Sequence, residues 1–311
     1  MTNLGCGNSH AAPAQAHSRF PEWLRRSLPS GSQLKQTADI LKDLQLPTVC
    51  EEARCPNRLE CYGKGTATFL VLGKECTRSC GFCSIQFNRS PSPPDPTEPQ
   101  RLAQSVQSLS LRHVVITMVA RDDLPDGGAL HLLEIMRTLR ESCPHVSIEL
   151  LTSDFNGNLD ALDQVLLAKP EVFNHNLETV ERLTPRVRHR ATYRRSLGIL
   201  EQCRHTFSGL MKSGLMVGLG ETEEEIHQTI RDLATVGCDI VTIGQYLQSD
   251  RRKLRVKSFM PPEQFEKLAE FGRSLGIRQM FCGPFVRSSY HAELQLEEPW
   301  KSTQSQMSKT S

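Results

Sequence analysis

Apolar and polar positions alternate along this chain as short apolar runs separated by longer amphipathic stretches. Six apolar runs rich in β-branched residues predict strands at 66–73, 113–119, 147–152, 172–176, 215–220 and 240–247. Helical spacing of apolar residues predicts helices at 127–142, 159–168, 196–207, 222–237 and 262–276. Repeated strand–helix units indicate a parallel sheet covered by helices. The pattern predicts an α/β fold, an open (β/α)6 partial TIM-type barrel.

The segments outside this barrel follow other patterns. Residues 32–46 predict one amphipathic helix with Leu34, Ala38, Leu41 and Leu44 on one face, and the stretch 50–65 is loop-like. The prolines of 89–99 also predict a loop. We expect the following division of the chain: a disordered leader at 1–19, an N-terminal extension at 20–65, the barrel at 66–285, a C-terminal cap segment at 286–298 and a disordered tail at 299–311.

Composition narrows the compartment and the partners. The chain has 311 residues, 38% of them hydrophobic, and a net charge of +2, which does not indicate nucleic-acid binding. It has no apolar run of membrane-spanning length and no secretory signal, so we expect a cytoplasmic protein without a membrane partner. Cysteines of a reducing compartment are more often metal ligands or catalytic thiols than disulfides.

Six of the 11 cysteines fall within residues 50–83 and form two sets of three. Cys76, Cys80 and Cys83 follow the first predicted strand with C-x3-C-x2-C spacing. Three thiolates are one short of a closed zinc site, whereas three thiolates on a [4Fe–4S] cluster leave one iron able to bind a small molecule. The spacing therefore favours a cluster over zinc.

The second set lies just before the barrel, where Cys50, Cys55 and Cys61 have C-x4-C-x5-C spacing. It too supplies three ligands. Taken by itself, this set is typical of a structural zinc loop that a distant residue completes. The residues alone leave zinc and an iron–sulfur cluster as alternatives.

Several motifs together resemble a known family. The form C-x3-C-x-φ-C, with Phe82 as the aromatic residue, resembles the signature of radical S-adenosylmethionine (SAM) enzymes. With the three-cysteine leader, the stretches "DDLPDGGA", "FNHNLETV", "GLGET", "GQYLQ" and "RSSYHA" make residues 20–295 similar to lipoyl synthases. The resemblance implies two [4Fe–4S] clusters, with SAM bound at the Cys76, Cys80 and Cys83 cluster.

The resemblance also implies the reaction. In lipoyl synthases the leader cysteines hold an auxiliary cluster whose fourth ligand is a serine of the RSSY motif, here Ser289, with Ser288 as the second choice. A SAM-derived radical removes hydrogen at C6 and C8 of a protein-bound octanoyl group, and the auxiliary cluster is consumed as the sulfur donor. An alkoxide is a harder and more labile ligand for iron than a thiolate, which suits a cluster that comes apart.

Further SAM contacts are expected at the carboxyl ends of the strands, where such barrels carry their chemistry. Asn174 and Asn176 alternate along a predicted strand and share a face suited to the ribose or carboxylate of SAM. His175 points the other way, as a core histidine or as one that supports the site residues from behind. Gly127, Gly128 and Gly220 would let the backbone approach SAM closely. The alternative for the glycines is ordinary turn chemistry.

The resemblance implies an octanoylated lipoyl carrier domain, an electron donor such as flavodoxin or ferredoxin, and an iron–sulfur carrier as partners. Basic residues cluster at 186–195 and 251–257. They are a solvated face, or a docking site for an acidic carrier domain in which some of the arginines hold SAM or a substrate carboxylate. Within the second cluster, Ser249, Lys253 and Arg255 depart from the family pattern and raise the alternative of a paralogue with another octanoylated substrate. A biotin-synthase-like enzyme and a zinc-stabilised binding module are the other hypotheses.

Overall fold

The computed structural model describes residues 21–25, 31–290 and 292–293. The predicted leader 1–19 and tail 299–311, and part of the segment 286–298, lie outside the described residues. The helices of four or more residues are α1 Ser32–Asp43, α2 Val49–Glu52, α3 Arg58–Gly63, α4 Glu98–Ser108, α5 Ala129–Ser142, α6 Leu159–Leu167, α7 Thr184–Val187, α8 Tyr193–Thr206, α9 Glu223–Thr235 and α10 Pro262–Ser274. The strands are β1 Thr68–Val71, β2 Glu75–Cys76, β3 Gln86–Phe87, β4 His113–Met118, β5 Ser147–Leu151, β6 Val172–Asn174, β7 Leu210–Val217, β8 Ile240–Gln245 and β9 Gln279–Gly283.

One parallel sheet of seven strands forms the core, in the order β1-β4-β5-β6-β7-β8-β9. The predicted α/β partial barrel is confirmed, with one strand more than the six expected. The additional strand, β9, was missed because it is a short stretch with a polar first residue and a cysteine and glycine at its end. All carboxyl ends of the parallel strands lie at one edge, so the segments that follow them meet there.

Strand β7 differs clearly from its predicted bounds, 215–220. Strand β7 begins at Leu210, five residues before the predicted start, because its first half contains the polar pair Lys212 and Ser213. The Lys212 ammonium is fully buried and donates to both carboxylate oxygens of Glu149 at 2.9 and 3.0 Å. A buried ion pair inside the barrel thus occupies positions where an apolar residue was expected.

The N-terminal extension is more regular than predicted. Helix α1 places Leu34, Ala38, Leu41 and Leu44 against the core, as expected from their spacing. The loop predicted for 50–65 is wrong, since this stretch contains α2 and α3. Thr48 caps α2 by accepting a hydrogen bond from the Glu51 N–H at 3.3 Å. Among the described residues, no helix has the length and apolarity needed to cross a bilayer.

Candidate active site

The loop that carries Cys76, Cys80 and Cys83 is attached to the barrel at several points. Thr77 donates from its backbone N–H and from its hydroxyl to the Ala120 carbonyl, at 3.0 and 2.9 Å. Gly81 donates to the Val187 carbonyl at 2.9 Å and accepts from the Leu254 N–H at 2.9 Å. The loop is therefore positioned at the carboxyl edge of the sheet before any ligand binds.

Arg78 supports this loop through a buried ionic network. Its guanidinium donates to Asp122 at 2.7 and 2.9 Å and contacts an Asp154 oxygen at 2.6 Å. Burial by itself would lower the pKa of Arg78, but the hydrogen bonds to both carboxylates outweigh it and raise that pKa. Arg78 was not predicted from the sequence. The signal for this ionic network was an arginine inside a cysteine motif, together with an aspartate pair after the next strand of the sheet.

The three thiols lie close enough to influence one another. Burial raises the pKa of Cys80 to about 11 and that of Cys83 to about 12, with neighbouring thiols of the set adding to the rise. At neutral pH these cysteines are therefore protonated in the metal-free chain. Binding iron releases their protons, since the thiolate is the ligand.

A cavity of about 330 Å3 opens above the sheet and is called here the central cavity. The residues of the first cysteine loop that line it are Cys76, Cys80, Phe82 and Cys83. Cys55 of the N-terminal extension lines it as well. The apolar part of its wall comes from the strands and α2: Val49, Leu70, Met118, Leu151, Leu215 and Met216. One space thus reaches a cysteine of each set.

Polar residues form another part of the wall, and one of them, Glu178, was not predicted. Asn176, Glu178 and Arg188 line the central cavity. Arg188 donates to the backbone carbonyl of Asn176 at 2.6 Å, and the Asn176 amide donates to Glu178 at 3.1 Å. Burial raises the pKa of Glu178, and the Arg188 charge offsets part of that rise. The sequence placed Arg188 in the basic cluster 186–195, some of whose arginines were expected to hold SAM or a substrate carboxylate if the cluster is more than a solvated face.

Asn174 and Asn176 do not share a site. Strand β6 ends at Asn174, so the alternation that was expected to bring both amides to one face stops there. Asn174 is fully buried and donates to Glu149 at 2.8 Å, inside the barrel. His175 is also fully buried, with its ring nitrogens at 3.0 Å from the Thr152 carbonyl and the Ser196 hydroxyl, as predicted for a core histidine.

The predicted glycines shape turns, and none of them is among the residues that line the central cavity. Gly128 has φ 94°, and a Cβ there would lie 2.5 Å from Leu72. Gly127, at φ 62°, precedes it in the same turn. Gly220 has φ 109° and accepts a hydrogen bond from Arg182 at 2.9 Å. Their placement fits the alternative of turn chemistry.

The second cysteine set is held by short helices, with Cys50 in α2, Cys61 in α3 and Cys55 between them. Burial raises the pKa of Cys50 to about 11 and that of Cys61 to about 12, and neighbouring thiols of the set add to both rises. Tyr62 fixes the two helices together, because its buried hydroxyl lies 2.8 Å from the Thr48 hydroxyl.

The C-terminal segment closes over this set. Asn57 donates to the Phe285 carbonyl at 2.7 Å, and the Tyr290 hydroxyl donates to Glu60 at 2.8 Å. Ser289 lines the central cavity, and it also lines a second cavity of about 280 Å3 that contains Cys61. The serine that the resemblance pointed to therefore lies beside the leader cysteines.

Each cysteine set supplies three sulfur donors. A closed structural zinc site takes four ligands, whereas three thiolates on a [4Fe–4S] cluster leave one iron able to bind another group. Cys76, Cys80 and Cys83 line one cavity, and Ser289 lines the two cavities that contain Cys55 and Cys61. The chemistry of these donor sets fits [4Fe–4S] clusters. Among the described residues, no three His, Cys, Asp or Glu side chains are grouped to hold a single metal ion.

Comparison with known proteins decides the family. A sequence profile of the radical SAM superfamily matches residues 70–233, and one of the N-terminal domain of lipoyl synthase matches residues 7–55. The chain is 60% identical over 281 residues to the lipoyl synthase of Protochlamydia amoebophila (strain UWE25), covering 89% of this chain and 87% of that protein. The chain belongs to the lipoyl synthase family. The lipoyl synthase of Chlamydia trachomatis serovar D is 55% identical over 277 residues, covering 89% of each protein.

Solved structures support the fold. Streptococcus suis SuiB bound to S-adenosylmethionine has a TM-score of 0.53 and 13% identity, covering 68% of this chain and 49% of SuiB. HydG, a maturase of the [FeFe]-hydrogenase, has a TM-score of 0.56 and 12% identity, covering 80% of this chain and 63% of HydG. As a member of the lipoyl synthase family, the chain is a radical SAM enzyme with lipoyl synthase activity, and it uses [4Fe–4S] clusters and SAM.

Proposed function

We propose that this chain converts an octanoyl-lysine of a carrier protein into lipoyl-lysine, with the two cysteine sets as separate cluster sites. Cys76, Cys80 and Cys83 hold the cluster that binds SAM. Cys50, Cys55, Cys61 and Ser289 hold the auxiliary cluster. When bound, the clusters and SAM supply the radical that removes hydrogen at C6 and C8 and the sulfur that replaces it. The supporting observation is that one cavity reaches both cysteine sets and Ser289.

The wall of the central cavity suits an extended alkyl chain. Many of its apolar side chains come from strands β1, β4, β5 and β7, which are hydrogen-bonded into one sheet. Such a wall binds methylene groups by removing them from water. It also keeps water away from a carbon that is about to react, and holds that carbon in one orientation.

Ser289 is a better candidate than Ser288 for the fourth ligand of the auxiliary cluster. The Ser288 hydroxyl donates to the side-chain oxygen of Asn176 at 2.9 Å, so Ser288 is turned toward β6. Ser289, the next residue, lines the cavity that contains Cys61. Tyr290 then anchors the segment on Glu60 of α3. Hydrogen bonds on both sides of Ser289 thus support the ligand role proposed for it.

Asn176 is the asparagine that suits a SAM contact. It lines the central cavity beside Glu178 and Arg188, whereas Asn174 is paired with Glu149 inside the barrel. A carboxylate and a guanidinium next to each other match the ammonium and carboxylate groups of an amino acid. Phe82, in the same wall, offers an aromatic surface beside the cluster loop.

The loop 249–257 is the docking surface that we assign to the octanoylated carrier domain. Asp250 pairs with Arg54 of the leader at 3.0 Å, and Leu254 bonds to Gly81 of the first cysteine loop. The loop therefore joins both cysteine segments at the central cavity. Arg251, Arg255 and Lys257 are exposed on it, which fits a carrier domain with an acidic surface.

The other basic cluster, 186–195, is less suited to docking. Three of its arginines already face acids of this chain: Arg190 lies 3.4 Å from Asp122, Arg194 2.9 Å from Glu181 and Arg195 3.4 Å from Asp154. These three arginines form ion pairs within this chain. A one-electron donor such as flavodoxin or ferredoxin and an iron–sulfur carrier complete the partners, in a cytoplasmic setting.

Anaerobic incubation with SAM, a reductant and an octanoyl-lysyl peptide tests this function. Mass spectrometry of the peptide should show two sulfur atoms added, with the hydrogen count unchanged in the dithiol product and two hydrogens fewer in the disulfide product. Sulfur should be lost from the auxiliary cluster at the same time, and the peptide without an octanoyl group is the control. SAM cleavage with no sulfur on the peptide contradicts the assignment and leaves only the superfamily.

A further inference from the structure

Ser289 lines a second cavity besides the central cavity. Its wall includes Cys61 and residues 64–68 of the segment before β1, with residues 109–113 before β4. These segments precede strands, so this cavity lies toward the amino edge of the sheet. The central cavity lies at the carboxyl edge. Among the described residues, Ser289 is the one that lines both cavities. No cysteine of the first set is among the described residues that line the second cavity.

The rim and wall of the second cavity carry both charges. Lys64 and Arg112 are exposed lining residues with positive charge, and Glu60 and Glu293 are partly buried lining residues with negative charge. His113 also lines the cavity. Lys64 and Glu60 lie 2.9 Å apart, so they partly neutralise each other. The Arg112 side is therefore the more attractive one for an anion.

The proposed reaction gives this arrangement a use. If the auxiliary cluster is the sulfur donor, a new cluster has to reach Cys50, Cys55 and Cys61 after each round. The central cavity is filled by SAM and the octanoyl chain during the reaction. A second opening beside Cys61 and Ser289 separates the supply of sulfur from the binding of substrate.

We propose that the second cavity is the route by which a thiolate-ligated [4Fe–4S] cluster reaches the auxiliary site. The proposal rests on the function proposed above. The step is a ligand exchange: three cysteine thiols and the Ser289 hydroxyl replace four thiolates of the incoming cluster. Each protein ligand gives up its proton, and each departing thiolate takes one, so four thiols leave. The cluster keeps its oxidation level, and the exchange needs no oxidant or reductant.

The test uses spent enzyme, which has lost its auxiliary cluster and kept the SAM cluster. The probe is a synthetic [4Fe–4S] cluster with four small thiolate ligands, added without oxygen. Uptake is followed by visible circular dichroism and by iron and sulfide retained after desalting. We expect the uptake rate to be unchanged when SAM and octanoyl peptide fill the central cavity. Uptake that stops when they are bound overturns the proposal.

Variants of the second cavity give an independent test. Ala67 lines it and is partly buried, so Ala67→Phe narrows it. We expect uptake about tenfold slower, with sulfur transfer from a preloaded auxiliary cluster unchanged. Leu167→Phe is the matched control, because Leu167 is 76% exposed on α6 and lies outside this cavity.

Arg112→Glu keeps the proposal testable if Ala67→Phe does not fold. Arg112 is exposed at the rim, and reversing its charge should slow the uptake of a dianionic cluster about fivefold at low salt. The difference should shrink as salt is added. If Ala67→Phe and Arg112→Glu take up the cluster as fast as Leu167→Phe does, the proposed route is overturned.

Two further outcomes separate this proposal from the proposed function. Uptake through the second cavity in a chain that transfers no sulfur overturns the function and supports the route. Repeating the uptake with a protein carrier in place of the synthetic cluster distinguishes the two sources of the same ligand. If Ala67→Phe and Arg112→Glu slow uptake from the protein carrier as they slow uptake of the synthetic cluster, the two sources use one route.

Discussion

Ser288 donates its hydroxyl hydrogen bond to the side-chain oxygen of Asn176 at 2.9 Å. This bond turns one serine of the RSSY motif toward β6 and leaves its neighbour, Ser289, beside the leader cysteines. Two serines with the same chemistry thereby acquire different surroundings. Their variants should differ accordingly.

Ser289→Ala should remove the oxygen ligand of the auxiliary cluster and lower lipoyl formation by roughly tenfold or more. SAM cleavage at the first cluster should continue, because Cys76, Cys80 and Cys83 are unchanged. Ser288→Ala is the matched control and should lose much less, since only a positioning hydrogen bond is removed. Measuring the lipoyl product and the cleaved SAM in one reaction checks the difference between the two variants. Equal lipoyl formation in Ser289→Ala and the wild type would contradict the ligand role.

Iron content should follow the two cysteine sets. The intact chain, purified without oxygen, should hold about eight irons, and Cys61→Ala should retain about four. Cys143→Ala is the control, because Cys143 is a buried cysteine outside both sets and its loss should leave the iron content unchanged. Colourless protein that contains zinc would refute the cluster assignment.

Arg78 should stabilise the first cysteine loop in a way that a surface arginine does not. Asp154 is fully buried, and Arg78→Leu leaves its carboxylate without its shortest ion pair, at a cost of about 3 to 5 kcal/mol in the free energy of unfolding. Arg137→Ala on α5 removes two exposed ion pairs and should change little. Urea unfolding of both variants measures the contrast, and similar midpoints would argue against a structural role for the network.

His175 should make stability depend on pH below neutrality. Burial lowers its pKa from 6.5 to about 4, and the Arg188 charge adds to the effect. Between those pH values the unfolded chain binds a proton that the folded chain does not, so stability falls as pH falls, by about 1.4 kcal/mol per pH unit. Below about 4 this contribution stops changing. Urea unfolding from pH 7 to 4.5 should give a shallower dependence for His175→Gln, and parallel curves would contradict the assignment.

The loop 249–257 should control binding of the carrier domain and leave the chemistry intact. Arg251→Glu combined with Arg255→Glu should raise KM for an octanoylated carrier domain about tenfold at low salt. A short octanoyl-lysyl peptide should react as before, because it does not need the docking surface. Lys35→Glu, an exposed charge reversal on α1, is the control. Equal losses with the domain and the peptide would place the effect in the cavity.

The pattern along the sequence was sufficient for features that depend on neighbouring residues. Strand–helix alternation predicted the parallel α/β core, and cysteine spacing after the first strand predicted the ligand loop, because both are local patterns. The alternation expected over 172–176 also turned His175 away from the two asparagines, and His175 is buried although β6 ends one residue earlier. Strand β7 was predicted too late, since Lys212 is tolerated in the barrel only because Glu149 lies opposite it on another strand.

Tertiary structure decided which of several equivalent residues meet at the site. Asn174 and Asn176 are alike in sequence, yet the end of β6 at Asn174 leaves one amide in the barrel and the other in the central cavity. Arg188 lies in that wall because it donates hydrogen bonds to backbone carbonyls twelve and eleven residues away. The sequence by itself determined the ligand types and their local spacing. Contacts between distant segments decided their positions, because a residue's surroundings depend on partners that spacing along one chain does not specify.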